Sequence, residues 1–217
     1  KPGQVYFEPV VGGAWVLQEM SGERIASDGN PALVALYQAL QKGWVPPEFV
    51  SEYDYAHYMT ATLASDPMQA FVLIGCSFGG KWRGGYARCS TKTCYAATSK
   101  RSLLTQLPKI RDVHFECRLF QDWHPDGQLV YADPPYAGTT SYGAFSGFDH
   151  DMFWRTMAAW QAAGNTVVVS EYSAPDPWIC VREFESQMGL SSGDTKARTK
   201  RTERLFMLDP PATVNAV

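Results

Sequence analysis

The stretch "QVYFEPVVGGAWVLQEM" (residues 4–20) decides the fold class of this chain. Residues 4–7 are apolar and β-prone, so they predict a short buried strand that ends before Pro9 and the glycine pair Gly12 and Gly13. Residues 14–20 follow with a helical pattern. A strand that enters a glycine turn and then a helix is typical of the first unit of an α/β sheet.

The next residues repeat the alternation. Residues 24–27 predict a second strand, which ends at Asp28. In "GNPALVALYQALQKG" (residues 29–43), Asn30 is placed to cap a helix, Pro31 occupies its first position and Gly43 ends it. This order predicts a parallel sheet with helices on its faces.

The chain between residues 44 and 107 has a different character. Two prolines interrupt it, helices are predicted to begin at Ser51 and Asp66, and no alternating strand pattern occurs there. Strands are predicted again at 113–120, 128–132, 166–170, 180–185 and 202–208, with a helix at 149–163. We therefore predict an α/β domain formed by residues 1–43 and 108–217, and a mostly helical insertion at 44–107.

Composition limits the class of protein. A chain of 217 residues with 45% apolar residues can bury a sizeable core. No window is apolar enough for a membrane span and the first residues are not those of a signal segment, so we expect a soluble, cytoplasmic protein. Five cysteines without a CxxC pair and four scattered histidines predict free thiols and no metal site.

Charge is distributed unevenly along the chain. The net charge is −3, yet residues 81–111 contain eight basic residues and no acidic one. Within this run, "GGKWRGGYAR" (residues 79–88) interleaves cations, aromatic rings and glycines, a combination that favours contact with nucleic acid. A solvated basic face is the alternative interpretation.

Two polar features follow the first two predicted strands, at the sheet edge where ligands bind in parallel sheets. The glycine turn could hold a polar group through its backbone amides, although many α/β proteins have glycine there without a ligand. Asp28 could bind the hydroxyl groups of a ribose, or it could cap the following helix in competition with Asn30.

The third feature is "YADPPYAG" (residues 131–138) after a predicted strand. The Asp133 carboxylate and the Pro134 carbonyl can together accept two hydrogen bonds from one amino group. Tyr136 offers a flat ring on which a base can stack, and Pro134 and Pro135 stiffen the turn. The alternative is a tight turn whose tyrosine packs inward.

These motifs together resemble the DNA adenine methyltransferases, a phage and bacterial group of S-adenosylmethionine-dependent amino-methyltransferases. The resemblance extends over nearly the whole chain and includes "YFEPVVGGA", "ASDGNPALVALYQAL", "SFGGKWRGGYAR", "YADPPYAGTTSYG", "FDHDMFW" and "TERLF". It implies a Rossmann-like methyltransferase sheet with helices on both faces and a terminal antiparallel strand. It also implies double-stranded DNA as partner, and we expect a monomer without a metal.

The resemblance also implies roles for individual residues. The residues expected to hold S-adenosylmethionine are Phe7, Glu8, Pro9, Gly12, Gly13, Ala14, Asp28, Asn30, Phe120 and Asp133. Those expected to hold the target adenine are Asp133, Pro134, Pro135 and Tyr136. Those expected to contact DNA are Lys81, Trp82, Arg83, Arg88, Lys92, Arg101 and Tyr142. Residues 137–147 are predicted to form a mobile loop that closes over an extruded base.

Three functions remain open from the sequence. The first is methyl transfer to the exocyclic amine of adenine, in a restriction-modification system or alone. The second is transfer to the amine of cytosine, because two acceptors serve any exocyclic amine. The third is a donor-defective DNA-binding remnant, or a fragment, because the lysine-bearing motif that the family has ahead of its glycine turn finds no room before Val5.

Overall fold

The computed structural model describes residues 3–89, 94–137, 147–187 and 200–208. Within these residues, seven strands form one sheet. The strands are β1 Tyr6–Glu8, β2 Arg24–Asp28, β3 His114–Cys117, β4 Leu129–Ala132, β5 Thr166–Glu171, β6 Ile179–Gln187 and β7 Lys200–Met207.

The strand order is β3-β2-β1-β4-β5-β7-β6. The first five strands in this order are parallel, whereas β7 runs antiparallel to both β5 and β6. This arrangement is the Rossmann-like sheet with a terminal antiparallel strand, and it confirms the predicted fold class. The strand order reverses between β1 and β4, and a crevice for a ligand opens beyond the carboxyl ends of strands at such a point.

Helices cover both faces of the sheet. They are α1 Pro31–Gln41, α2 Glu52–Thr60, α3 Pro67–Ala70, α4 Tyr95–Ile110 and α5 His150–Ala162, and α3 continues into a π-helix at Phe71–Gly75. The side chains of Phe153, Met157 and Trp160 on α5 are buried against one face of the sheet, as their spacing predicts. The core on the other face contains α1 and much of the insertion.

The helix starts follow their local sequences. Asn30 accepts hydrogen bonds from the amides of Ala32 and Leu33, and Pro31 begins α1. Ser51 and Asp54 form a reciprocal capping box at the start of α2. The predicted helix starts at Asn30, Ser51 and Asp66 are therefore confirmed.

Two predicted elements are shorter than the sequence indicates. Instead of a helix over residues 14–20, only a 3₁₀ turn at Leu17–Glu19 is present, because the backbone at Gly12 and Ala14 is left-handed and the chain turns sharply there. The strand predicted at 113–120 ends at Cys117 and is followed by a 3₁₀ turn at Phe120–Asp122. The other strand ends differ from the prediction by a few residues.

Helix α4 connects the insertion to the sheet. It continues without a break across residues 107 and 108, with Pro108 near its end, where we predict the insertion to stop. The side chain of Gln106 in this helix donates to the carbonyl oxygens of Gly13 and Ala14 at 3.0 and 3.3 Å. The last helix of the insertion therefore supports the glycine turn after β1.

Candidate active site

Asp28, at the end of β2, organises the glycine turn. The amide of Gly12 donates to Asp28 Oδ2 at 3.2 Å, and the amide of Asn30 donates to Asp28 Oδ1 at 2.9 Å. Burial raises the pKa of this carboxyl, and the two amide hydrogen bonds oppose the rise. Each carboxylate oxygen keeps lone-pair capacity for a further donor, such as a ribose hydroxyl.

Asn30 has the capping role that its position before Pro31 predicts. Its side-chain oxygen accepts from two amides of the first turn of α1, and the residue is only 3% exposed. Asn30 is therefore the helix cap, and the alternative interpretation of Asp28 as the cap is wrong. Asp28 remains available to a ligand at the sheet edge.

The glycine turn is open to solvent on one side and held from the other. Gly12 and Gly13 are exposed, and Gly12 has a φ of +46° with no heavy atom within 4 Å of where a side chain would begin. From within, the Tyr37 hydroxyl donates to the Gly12 carbonyl at 2.8 Å. Sequence reasoning missed Tyr37 and Gln106, because their partners lie 25 and 93 residues away.

Several residues of the expected donor set have buried side chains. Phe7 is fully buried, and its ring lies 4.8 Å from that of Trp123. The Pro9 carbonyl accepts a hydrogen bond from Ser27 Oγ at 3.1 Å, and Ala14 is 1% exposed. Phe120 is 8% exposed and packs against Phe153. The side chains of Phe7, Ala14 and Phe120 thus belong to the core, and their expected contact with S-adenosylmethionine stays a prediction.

Leu119 lies beside Asp28 and was not among the predicted site residues. It is 47% exposed, and its Cδ2 atom lies 2.7 Å from where a Cβ at Gly29 would stand. A side chain at position 29 would therefore require the end of the Leu119 side chain to shift. Leu119 therefore provides an exposed apolar surface beside Gly29, the residue that follows Asp28.

Glu8 ends β1 and is buried, with 4% exposure. The Tyr6 hydroxyl donates to Glu8 Oε1 at 2.6 Å. Burial raises the pKa of Glu8 to about 8, and the negative charge of Asp133 adds to the rise, whereas the hydrogen bond from Tyr6 lowers it. Glu8 is therefore mainly a neutral carboxylic acid at pH 7.

Asp133 follows β4 and faces the end of β1 across the crevice. Part of the residue is open to solvent, but protein surrounds the carboxyl closely enough that burial raises its pKa to about 6. A hydrogen bond with Tyr136 lowers this pKa, and the charges of Glu203 and Glu171 raise it. At pH 7 Asp133 is mostly ionised and can accept hydrogen bonds from an amine.

The turn after Asp133 is attached to the end of β5. The Tyr136 hydroxyl is 2.7 Å from Ser170 Oγ, and its ring lies 4.6 Å from that of Tyr172 at an angle of 79°. Glu171 accepts from the amides of Ala137 and Tyr172 at 2.6 and 2.5 Å. Sequence reasoning missed Ser170 and Glu171, although two polar residues at the end of the apolar run "TVVV" were a signal for a site.

The glycine-rich part of the insertion forms a hairpin-like turn. The Phe78 amide donates to the Gly85 carbonyl at 3.0 Å, and Ser77 pairs with Tyr86 in an antiparallel bridge. Phe78 is 57% exposed on this turn, and Lys81 is half-buried. The turn therefore presents an aromatic ring and a cation close together.

The structure changes the interpretation of three predicted DNA contacts. Trp82 is 6% exposed within the core, so its ring cannot stack on a base in this conformation. Arg83 is half-buried and donates to the Ala61 carbonyl at 3.2 Å. Arg88 pairs with Glu52 at 2.9 Å on the surface. Arg101 is exposed on α4, whereas Lys92, Tyr142 and most of the predicted mobile loop lie outside the described residues.

Acidic residues from other parts of the chain partly neutralise the basic run at residues 81–111 in the folded structure. Besides Arg88, Lys100 pairs with Glu48 at 3.2 Å and Lys109 pairs with Glu19 at 2.6 Å. Thus three of the seven cations that the structure describes between residues 81 and 111 have acidic partners from earlier parts of the chain. Exposed pairs of this kind contribute little to stability, but they reduce the local field.

In the part of the chain that the structure describes, no group of three or more His, Cys, Asp and Glu side chains could hold a metal ion. None of the helices among those residues has both the length and the apolarity that crossing a membrane requires.

Comparison with known proteins does not identify the family of this chain. No family model matches the chain, and no curated protein matches it. A solved structure, "Crystal structure of SMU.472, a putative methyltransferase complexed with SAH", aligns over 81% of this chain with 10% identity and a TM-score of 0.27. The alignment spans about half of that protein, 52% of its length. A similarity this weak carries no argument about function.

Proposed function

We propose that this chain is an S-adenosylmethionine-dependent methyltransferase that acts on the exocyclic amino group of adenine in double-stranded DNA. One observation carries the proposal. The glycine turn with Asp28 and the Asp133-Pro134-Pro135-Tyr136 turn lie on opposite sides of the point where the strand order reverses, between β1 and β4. A donor and an acceptor bound to these two turns would meet there.

The residues of the first turn fit the donor. Bound there, S-adenosylmethionine would supply an electrophilic methyl group on a sulfonium. The exposed backbone of Gly12 and Gly13 allows close approach of its polar end, and Asp28 has acceptor capacity for a ribose. The exposed side chain of Leu119, beside Gly29, offers an apolar contact for an adenine ring.

The second turn fits a planar amine. The ionised Asp133 and the Pro134 carbonyl would each accept one N–H of the amine and so draw its lone pair out of conjugation with the ring. S-adenosylmethionine held at the first turn would supply the methyl group to this nitrogen, and its sulfonium would become a neutral thioether. Asp133 can accept the proton that the nitrogen loses, because its raised pKa of about 6 makes it a better base than an ordinary aspartate.

A base inside a duplex cannot reach this turn, so the target must be extruded. The half-buried ring of Tyr136 is held at its hydroxyl by Ser170, and stacking of a base on such a ring contributes about 1–3 kcal/mol. The hairpin-like turn with Phe78 and Lys81, together with Arg101, offers the positive and aromatic surface that DNA contact requires.

The test uses purified protein, duplex DNA and S-adenosylmethionine, followed by nucleoside mass spectrometry and mapping of the restriction sites that become resistant. N6-methyladenine is the expected product. N4-methylcytosine would support the cytosine alternative. No methylation, together with no heat on calorimetric titration with S-adenosylmethionine and retained DNA binding, would support a donor-defective remnant.

Replacing the acceptor tests the assignment of roles. Asp133→Ala should lower methyl transfer by about 100-fold or more, while donor affinity changes by less than about tenfold. Asp126→Ala is the matched control, because Asp126 is exposed near the amino end of the same strand, at the opposite edge of the sheet. Full transfer by the Asp133 variant would contradict the proposed mechanism.

A further inference from the structure

Two thiols in the insertion lie in direct contact. The Cys89 thiol donates to the sulfur of Cys94, with 2.8 Å between the two sulfur atoms. A disulfide bond is about 2.0 Å long, so the pair needs only a small movement to become covalently joined. The cysteines are five positions apart, one after the hairpin-like turn and one at the start of α4.

The two thiols differ in reactivity. Cys94 is the N-cap residue of α4. The hydrogen bond from Cys89 lowers the pKa of Cys94 most, and the amides of Ala97 and Ala96 lower it further. The same contact raises the pKa of Cys89. Because the thiolate is the nucleophile in thiol chemistry, Cys94 should react first and Cys89 second.

Access separates this pair from Cys76. Cys89 and Cys94 are half-buried, so small reagents can reach them. Cys76 is 1% exposed, and burial raises the pKa of its thiol to about 12, which leaves it unreactive. The sulfur–sulfur contact is thus made by two thiols that small reagents can reach, and the start of α4 adds to the reactivity of one of them, Cys94.

We propose that Cys89 and Cys94 are a redox-active pair. They form a reversible disulfide with each other when they react with an oxidant such as oxidised glutathione, a small-molecule disulfide. The Cys94 thiolate attacks one sulfur of the oxidant and releases one thiolate, which leaves a mixed disulfide on Cys94. Cys89 then gives its proton to the glutathione thiolate already released and attacks the Cys94 sulfur, which releases the second glutathione as a thiolate that takes a proton from water. Two protein thiols are oxidised, and one disulfide is reduced to two thiols.

The bond would join the segment after Arg88 to the first turn of α4. Reduced, the two segments are held by a hydrogen bond between sulfurs. Oxidised, they are tied covalently, within the predicted DNA-binding insertion. The proposal does not depend on methyl transfer, because it concerns only the two thiols and the oxidant.

Peptide mapping tests it directly. The full chain is incubated with oxidised glutathione at pH 7.5, alkylated, and cut with trypsin without reduction. Trypsin cuts after Arg88, Lys92 and Lys100, so the two cysteines fall on separate peptides, 89–92 and 93–100. We expect these peptides joined, with a mass lower by two hydrogens than their sum, and separated again by a reductant.

Single substitutions assign the roles. The Cys89→Ser variant should accumulate glutathione on Cys94. The Cys94→Ser variant should yield no joined peptide. The Cys117→Ser variant, the control at an exposed cysteine, should still yield the joined peptide. The proposal is overturned if the unsubstituted chain yields no joined peptide. It is also overturned if glutathione persists on Cys94 while Cys89 is present.

Discussion

Glu8 and Asp133 are two carboxyl groups at the same edge of the sheet that differ in how much water reaches them. Glu8 is buried, and the pKa of about 8 leaves it mainly neutral at pH 7. Asp133 is partly open to solvent and has a pKa of about 6, so it is mostly ionised. Different environments thus set two protonation states within one crevice, and only Asp133 is suited to accept hydrogen bonds from an amine.

The pKa of Asp133 predicts the pH dependence of methyl transfer. In the proposed mechanism the ionised form of Asp133 accepts the amine, so the rate should fall as the pH drops below about 6, with a slope approaching one log unit per pH unit. Initial rates of methyl incorporation measured between pH 5 and 8 check this. Donor and DNA binding are measured over the same range as controls, and a flat profile would contradict the role of Asp133.

Glu8→Gln should change stability in a pH-dependent way. Burial raises the pKa of Glu8 from 4.5 to about 8, so between these values the folded state keeps a proton that the unfolded chain loses. The free energy of unfolding of the unsubstituted chain therefore falls as the pH rises through this window. Glutamine is always neutral and can still accept a hydrogen bond from Tyr6. The free energy of unfolding of Glu8→Gln should therefore rise, relative to that of the unsubstituted chain, as the pH increases towards 8.

The size of this gain is limited to about 1.4 kcal/mol for each unit of the pKa rise. Urea unfolding at pH 5, 7 and 8.5 measures this gain. Subtracting the free energy of unfolding of the unsubstituted chain from that of Glu8→Gln cancels the titration of other groups. Glu23→Gln serves as the control, since Glu23 is exposed. A difference between Glu8→Gln and the unsubstituted chain that does not vary with pH would show that Glu8 does not titrate as argued.

At the scale of elements, neighbouring helices hold the glycine turn in place. Tyr37 of α1 and Gln106 of α4 both donate to carbonyl oxygens of this turn. The start of α1 is in turn fixed by Asn30, next to Asp28. The proposed donor site therefore depends on side chains of α1 and α4 that need not touch the donor.

Asn30→Ala tests the capping role. Losing a side-chain cap costs about 1 kcal/mol, so this variant should unfold at lower urea concentration, whereas Asn30→Asp, which keeps an acceptor oxygen, should unfold close to the unsubstituted chain. Chemical unfolding of the three proteins measures the effect. If the aspartate variant were destabilised as much as the alanine variant, capping would not be the role of Asn30.

At the scale of the whole molecule, the arrangement of charge differs from its order along the chain. Residues 81–111 are uniformly basic in sequence, yet Arg88, Lys100 and Lys109 are paired with Glu52, Glu48 and Glu19. The field that a DNA duplex would meet is therefore weaker than the sequence indicates. Lys81 and Arg101 lie on the same basic segment without belonging to these three pairs.

Replacing Lys81 and Arg101 with alanine should weaken DNA binding and reduce its salt dependence. Each phosphate contact that is lost lowers the slope of log K against log salt by about 0.9. Titrations of a labelled duplex at several salt concentrations measure both effects. Lys109→Ala is the control, because Lys109 is paired with Glu19. Unchanged slopes for Lys81→Ala and Arg101→Ala would remove these residues from the DNA-binding surface.

The order of elements and the position of the two turns could be predicted from the sequence. Strand patterns, the prolines and glycines, and the capping residues Asn30 and Ser51 act within a few positions of the chain, so their structural effect is visible locally. Parallel strands bring their carboxyl ends to one edge, and this alone indicated that Gly12, Asp28 and Asp133 would lie near one another.

The surroundings of those residues were decided by tertiary structure. Ser170 contacts Tyr136, 34 residues away in sequence, and Gln106 donates to Gly13, 93 residues away. Trp82 is buried although its segment is basic and rich in glycine. The protonation of Glu8 and the contact between Cys89 and Cys94 likewise depend on folding. Burial, desolvation and pairing are set by atoms brought from distant parts of the chain, whereas turns and helix ends are set by neighbours in sequence.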